Sequence, residues 1–141
     1  MIDFTPSTAD DLEQLGEWIA ADKLSRPSTP SWWFTGQGLL TFCLQDSIGP
    51  VCYVRLERED QMTRLHTLFG PPEEVHKIRL VKAMLKAIPV VIEYSKSTGA
   101  SGVVFDSKSE SLISFMKRQG FISLDKGDDF VLYFKVENTV Q

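Results

Sequence analysis

The sequence lacks the long apolar runs and the cysteine pairs that mark two large classes of protein. No uninterrupted apolar stretch approaches the roughly 20 residues that a membrane span needs, so no span is expected. Cys43 and Cys52 are too few for a disulfide framework and lie in apolar, strand-like segments, which favours buried free thiols. The first residues have neither the basic nor the apolar region of a secretory signal, so the expected compartment is the cytoplasm.

A surplus of positive charge is also missing. The chain has 15 Lys and Arg against 19 Asp and Glu, a formal net charge of -4. Nucleic-acid binding requires a basic face, and the basic residues are scattered except on one predicted helix, so no nucleic-acid partner is expected. No Cys, His and carboxylate set has the spacing of metal ligands, and no metal site is predicted. No Ser/His/Asp arrangement has a supporting context either.

What is present is the pattern of one α/β domain. The 141 residues suffice for one core, and we predict a single domain over residues 1–136 with a frayed tail at 137–141. The predicted segments are a strand at 2–5, a helix ending near 22, a loop at 26–38, strands at 39–44, 51–56 and 62–69, a helix at 73–98, a strand at 102–106, a helix from 109, and closing strands at 121–124 and 130–136.

The long predicted helix has clear local signals. Pro72 at its first position, followed by Glu73 and Glu74, predicts its start, and Pro89 should bend or divide it. Its expected buried side consists of Val75, Ile78, Val81, Met84, Leu85 and Ile88. For the first helix, Ser7 or Thr8 is the expected capping residue.

The connections predict how the strands pair. Short turns between the three strands that end at residue 69 favour an antiparallel meander. A long helix links residues 62–69 to residues 102–106, and such a crossover joins parallel strands. We therefore expect these two strands to be adjacent, parallel and diverging toward their C-terminal ends.

Two stretches carry a resemblance to a known family. The opening residues 2–6 (IDFTP) and 9–12 (ADDL) look like a first strand and the entry to a first helix, and residues 109–121 (SESLISFMKRQGF) look like a later helix that ends on a Gly-Phe pair. With the order of segments, nearly the whole chain resembles the GNAT superfamily of N-acetyltransferases. The resemblance implies an α/β (α+β) fold with a mixed, mostly antiparallel sheet, in which helices flank a central splayed parallel pair.

The resemblance also implies an activity and a set of contacts. It implies acetyl transfer from acetyl-CoA, as co-substrate, to an amine on a small molecule or a protein, and it is compatible with a homodimer. The co-substrate would lie between the two splayed strands. The residues that the resemblance assigns to acetyl-CoA are Thr67, Leu68, Phe69, Lys77, Arg79 and Ser109.

The sequence departs from the family pattern at two points. The family holds pyrophosphate with a glycine-rich loop at the start of its long helix, but no glycine occurs here between Gly70 and Gly99, and one register places Arg79 and Val81 at the glycine positions. A tyrosine that protonates the leaving thiolate is replaced by Met116, which has no proton to give. A second hypothesis is therefore a GNAT-fold domain that binds a ligand or a protein without catalysis.

Several side chains have both a functional and a structural interpretation. His66 has a suitable pKa for a general base, but a strand histidine can equally bond a neighbour. Trp32 and Trp33 could line an acceptor pocket or plug the core beneath the first helix. Tyr53 and Arg55 could face the cleft, although the sequence does not fix their side.

Two charged groups are ambiguous in the same way. Glu57, Glu59 and Asp60 lie at a predicted hairpin tip, where they could attract a cationic substrate but are more typical of a solvated turn. The cluster of Lys77, Arg79, Lys82 and Lys86 could be the polar face of a helix or could contact an anion.

Overall fold

A computed structural model describes residues 3–8, 11–22, 29–35, 39–124 and 128–134. Its elements are β1 (Asp3–Pro6), α1 (Leu12–Ala21), a 3-10 helix (Pro30–Phe34), β2 (Leu40–Gln45), β3 (Pro50–Glu59), β4 (Met62–Phe69), α2 (Lys77–Ser97), β5 (Gly102–Asp106), α3 (Glu110–Arg118), β6 (Ile122–Ser123) and β7 (Asp129–Tyr133). The predicted tail at 137–141 lies outside the described residues, and the boundary at residue 136 stays a prediction.

The strands form one mixed sheet in the order β1-β2-β3-β4-β5-β7-β6. Every pairing is antiparallel except that of β4 with β5, which α2 connects as a crossover. The predicted meander and the predicted parallel pair are both confirmed. The fold class inferred from the order of segments is likewise confirmed.

Strand register separates the two faces of the sheet. Arg55 is opposite His66 and Tyr53 is opposite Leu68, so these four side chains share one face. That face carries α1, whose Trp18 ring meets the Tyr53 ring edge-on at 5.4 Å. The other face carries β5's Phe105 against the aromatic residues near α3, which places α3 across the sheet from α1.

The tryptophan-containing segment forms a 3-10 helix where a loop was predicted. Pro30 is at the start of the 3-10 helix, where its fixed φ and missing N–H are tolerated. Trp33 is 3% exposed and belongs to the core, whereas Trp32 is half-buried. At α1 the prediction of Ser7 or Thr8 as the cap was wrong: Asp11 is the N-cap residue, and its carboxylate accepts a hydrogen bond from the Thr8 N–H at 2.9 Å.

α2 differs from its prediction in three ways. It begins at Lys77 rather than at Pro72, because the preceding residues form a separate turn in which Val75 N–H donates to Pro71 O. Pro89 does not divide it; Pro89 lies on the exposed side, where water can satisfy the carbonyl that loses its partner.

The buried side of α2 was also partly misassigned. Ile78, Val81 and Leu85 are 58%, 37% and 49% exposed. Met84 and Ile88 are buried as predicted, and the other residues that α2 buries are Ala83, Ala87, Val91 and Ser95. The apolar pattern of this helix is wider than its packed face, so periodicity alone could not locate the boundary.

The β3–β4 hairpin is longer and tighter than predicted. β3 continues to Glu59, and the turn is short, with Asp60 at φ 53°, a left-handed conformation that Asp tolerates better than most residues. Glu57 is therefore a strand residue opposite Arg64, and its interpretation as part of a solvated tip was wrong.

The core also contains both thiols. Cys43 and Cys52 are buried and free, as predicted. They lie on adjacent strands but not opposite one another, since Cys43 faces Tyr53 and Cys52 faces Leu44, so their side chains point to different faces. Among the described residues, none of the helices combines the length and the apolar character that crossing a bilayer requires.

Candidate active site

The parallel pair opens after three residues. β4 and β5 are in register only at Met62–Gly102, Thr63–Val103 and Arg64–Val104. Beyond that point the rest of β4 keeps β3 as a neighbour but not β5. One edge of the second half of β4 therefore has no strand partner in the described structure.

Arg64 marks the point of divergence and bonds carboxylates on three other strands. Its guanidinium reaches Glu59 at 2.7 Å, Asp129 at 2.9 Å and Asp106 at 3.3 Å. Burial alone would lower the pKa of Arg64, but Asp129 and Glu59 raise it above its ordinary value. We call this group the Arg64 clamp. It fixes the relative positions of β3, β4, β5 and β7 where the sheet opens.

A cleft of about 1030 Å³ lies at the opening. Its residues come from α1, the 3-10 helix, the second half of β4, the start of α2, the end of β5 and α3. Residues that line the cleft include Trp18, Trp32, Trp33, His66, Thr67, Leu68, Phe69, Asp106, Ser109 and Met116. The volume is in the range of small-molecule and cofactor sites.

His66 is held by a carboxylate behind it. Its Nε2 lies 2.8 Å from Oε1 of Glu57, and Arg55 donates to Oε2 of the same carboxylate at 2.8 Å. Because a carboxylate can only accept, the neutral imidazole donates from Nε2, which leaves a lone pair on Nδ1. The three side chains form a linear series, Arg55–Glu57–His66, in which His66 is the member that reaches the cleft.

The electrostatics keep the imidazole neutral at physiological pH. Burial lowers the pKa of His66 below its ordinary value of 6.5, and the bond to Glu57 does not fully compensate. Burial alone would raise the pKa of Glu57, but the hydrogen bonds from Arg55 and His66 lower it overall. The pair is thus a carboxylate and a neutral imidazole, the combination that general-base chemistry requires.

The two tryptophans lie in different surroundings: Trp32 is beside His66, and Trp33 is in the core. Trp32 packs edge-on against His66 at 4.9 Å and lies under the Arg55 guanidinium at 4.1 Å. Trp33 is core, yet its ring reaches the cleft, and its Nε1 is buried without a hydrogen-bond partner among the described residues.

Tyr53 and Arg55 do not line the cleft. The Tyr53 hydroxyl bonds Oδ1 of Asp11 at 2.9 Å and Oε1 of Gln14 at 2.8 Å, so this side chain secures α1 on the sheet. Arg55 is buried and donates to the carbonyls of Trp32 and Thr35, which secures the 3-10 helix. Both are on the His66 face, but they support the site from behind.

The other predicted contacts of acetyl-CoA fall into two groups. Thr67, Leu68, Phe69 and Ser109 all line the cleft. Ser109 also caps α3, since its Oγ accepts from Leu112 N–H at 3.3 Å. Lys77 and Arg79 do not line it: Lys77 is exposed at the start of α2, and Arg79 turns toward the β2–β3 turn, where it bonds Asp46 at 2.7 and 2.8 Å.

Sequence reasoning underrated one site residue, Glu57. The signal was available: Tyr53, Arg55 and Glu57 alternate along one strand, and a hairpin register that places Arg55 opposite His66 brings Glu57 within reach of the imidazole. Within the described residues, no group of three or more His, Cys, Asp or Glu side chains could hold a metal ion.

Known proteins resemble the chain in structure rather than in sequence. No family model and no curated protein matches it. A GNAT-family acetyltransferase from Staphylococcus aureus Mu50 aligns with a TM-score of 0.76 at 18% identity, over 96% of this chain and 100% of that one. The ribosomal-protein-S18-alanine N-acetyltransferase of Escherichia coli aligns with a TM-score of 0.68 at 13% identity, over 100% of both chains.

A third structure was determined with a ligand. The PaiA N-acetyltransferase of Thermoplasma acidophilum, in complex with coenzyme A, aligns with a TM-score of 0.62 at 16% identity, over 93% of this chain and 96% of that one. At these identities the likeness concerns the fold. The element order, the single parallel pair and its divergence agree with it, and the chain has the fold of the GNAT-family acetyltransferases.

Proposed function

We propose that the chain is an N-acetyltransferase that transfers an acetyl group from acetyl-CoA to an amine. The observation that carries this proposal is the position of His66, a neutral, Glu57-bonded imidazole on the wall of the cleft where β4 and β5 diverge. The fold supports it, since the structural neighbours are acetyltransferases and two of them were solved with coenzyme A.

The donor end is supported by the free edge of β4. Thr67, Leu68 and Phe69 have no strand neighbour on the β5 side, so their backbone groups on that side are available to an extended amide chain. The pantetheine arm of CoA is such a chain, with two amide groups that can pair as a strand does. Ser109, Leu112 and Met116 of the opposite wall would border it.

The chemistry then needs one base and a positioned thioester. The amine nitrogen attacks the thioester carbonyl, a C–N bond forms, and the C–S bond breaks with release of the CoA thiolate. Nδ1 of His66 accepts the proton that the amine loses. Met116 has no proton to give, so the thiolate takes its proton from water.

The acceptor end favours a cationic amine in its approach. Asp22, Asp128 and the Arg64-paired Asp106 line the cleft, and negative charge there attracts the ammonium form of an amine, which loses one proton to solvent before the neutral amine attacks. Trp32 adds an aromatic surface beside His66. A small-molecule amine and a protein amine both satisfy these features; a cytoplasmic location and a homodimer stay predictions.

The test combines binding with turnover. Acetyl-CoA is titrated into the protein by calorimetry, and release of free thiol is then followed with a panel of primary amines that includes polyamines, amino sugars and N-terminal peptides. We expect binding, and turnover with at least one cationic amine. No binding of acetyl-CoA at millimolar concentration would contradict the proposal.

A second candidate function is ligand binding without catalysis. Met116 favours it, because the side chain contributes no acid, and so does the lack of glycine at the start of α2. This candidate predicts binding of acetyl-CoA or of an amine but no thiol release with any acceptor. His76→Asn is a suitable control in both assays, because asparagine preserves the helix cap while removing the other histidine outside the cleft.

A further inference from the structure

The start of α2 leaves few backbone donors for a phosphate group. Ile78 N–H donates to Nδ1 of His76 at 3.1 Å, while Arg79 N–H and Leu80 N–H donate to His76 O at 2.9 and 3.3 Å. A helix N-terminus binds anions through N–H groups that have no partner within the protein. Here a phosphate would have to displace the His76 side chain from its capping position.

The nearest guanidinium is committed elsewhere. Arg79 makes two bonds to the Asp46 carboxylate and further bonds to Gly49 O at 3.2 Å and Glu74 O at 3.3 Å. The Arg79 and Asp46 side chains are each 14% exposed. Turning Arg79 toward a ligand would break both of its bonds to Asp46 and leave that carboxylate with only the backbone N–H groups of Ile48 and Gly49, so the expected role of Arg79 as a phosphate contact is not supported by its geometry.

Charge and space at this end are also unfavourable. Glu73 and Glu74 come just before the helix, and Glu74 is fixed by a bond from Trp18 Nε1 at 3.1 Å. The turn is closed by Val75, which is 2% exposed and so close to Gly70 that a Cβ on the glycine would lie 2.2 Å from Val75 Cγ2. The turn therefore cannot widen around a pyrophosphate without expelling a core residue.

This end contrasts with the edge of β4 on the β5 side, where no strand of the described part of the chain pairs with the backbone groups of Thr67 to Phe69. We infer that the protein recognises its acyl donor through the pantetheine arm alone and leaves the nucleotide half of CoA essentially unbound. The inference rests on the proposed function, since it assumes that the cleft takes a thioester. The donor class is then an acyl-pantetheine thioester, whether the arm belongs to free CoA or to a carrier protein.

The experiment compares three ligands by calorimetry with the full chain: acetyl-CoA, S-acetyl-pantetheine and adenosine 3',5'-bisphosphate. We expect the first two to bind with dissociation constants within about threefold of each other, and the nucleotide not to bind. Affinity for acetyl-CoA should change less than twofold between low and high salt, because phosphate contacts would be screened and amide contacts are not. The double variant Lys77→Ala/Lys82→Ala should bind acetyl-CoA as the parent does.

Other outcomes overturn the inference in separable ways. Acetyl-CoA binding about thirtyfold or more tightly than S-acetyl-pantetheine, or measurable binding of the nucleotide, would show that the nucleotide half is held, with the proposed function intact. Failure of all three ligands to bind would remove both proposals. Acetyl transfer from an acetylated carrier protein and from acetyl-CoA, compared by kcat/KM, would distinguish the two sources of the arm.

Discussion

The two ends of the cleft use the same kinds of polar group in opposite ways. At the acceptor end, the Glu57 carboxylate accepts hydrogen bonds from Arg55 and from Nε2 of His66, and Nδ1 of His66 stays available. At the start of α2, Nδ1 of His76 caps the helix and the Arg79 guanidinium is held by the Asp46 carboxylate, so neither the capped N–H group nor the guanidinium is available to a ligand. Binding capacity therefore depends less on which polar residues are present than on which donors and acceptors the fold itself leaves unused.

The largest effect is expected when the available imidazole nitrogen of His66 is removed. His66→Ala should lower kcat by roughly 100- to 1000-fold, the usual contribution of a positioned base, while changing the affinity for acetyl-CoA little. Thiol release and calorimetry on the same preparations measure both. His76→Asn, which removes the other histidine, should retain parental kcat; equal losses in the two variants would show that His66 acts only through stability.

Gly70 lies between β4 and the turn that precedes α2, and a methyl group at this position should lower the stability of the fold. Gly70→Ala places a Cβ 2.2 Å from Val75 and 3.1 Å from Trp18, so we expect a loss of about 2 kcal/mol in the free energy of unfolding. Gly16→Ala, inside α1 and in ordinary contact with Pro30 at 3.5 Å, should be neutral or stabilising by about 0.5 kcal/mol. Urea unfolding of both variants tests this pair, and similar losses would contradict the packing argument.

Arg79 should matter for stability and not for binding. Arg79→Ala should cost about 1 kcal/mol at pH 7 and leave the acetyl-CoA dissociation constant within about twofold. The bond to Arg79 holds the pKa of Asp46 far below its ordinary value, so the stabilisation is present above about pH 4, the unfolded value, and declines as the pH falls further.

The measurement for this pair is the difference in unfolding free energy between parent and Arg79→Ala at pH 7 and at pH 3. The difference should be smaller at pH 3. Asp46→Asn should lower the free energy of unfolding by a similar amount at pH 7. Between pH 7 and pH 3 its stability should change less than that of the parent. A tenfold loss of acetyl-CoA affinity in Arg79→Ala would instead restore its role as a phosphate contact.

The smallest expected effect is a shift in the pH dependence of kcat/KM. Since burial lowers the pKa of His66, kcat/KM calculated per concentration of unprotonated amine should rise through an apparent pKa below 6.5 and stay level above it. Glu57 raises the pKa of His66, so Glu57→Gln should move this acid limb to still lower pH. Glu59→Gln, which removes a carboxylate bonded to Arg64 rather than to His66, should leave the limb in place.

The fold could be predicted because its signals are local. Alternation in residues 62–69, the apolar run at 102–106 and the helix between them required a parallel crossover, and the structure has it. The prediction of where α2 begins was wrong because Pro72, Glu73 and Glu74 look like a helix start. The Pro71–Val75 turn and the His76 cap that are present instead depend on three-dimensional packing. The bond between Arg79 and Asp46 joins residues 33 positions apart, which no periodicity reveals.

The candidate site was predicted in part for a similar reason. His66 was selected by residue type, and Trp32 by its unusual position in a polar loop. Glu57 was considered only as part of a solvated tip or as an attractor of a cation, because an acidic run beside a turn is typical of such a tip. The structure shows that it is opposite Arg64 and bonded to His66. The roles of Tyr53 and Arg55 required knowledge of which elements lie over their strand.

The Arg64 clamp has a consequence for the kinetics of binding. By bonding carboxylates on three other strands, it links the strands that border the opening at the point where β4 and β5 already separate. A ligand then meets a gap that already exists and does not have to wait for the strands to part. Association should follow a single exponential whose observed rate increases linearly with ligand concentration, without the plateau that a slow opening step would impose.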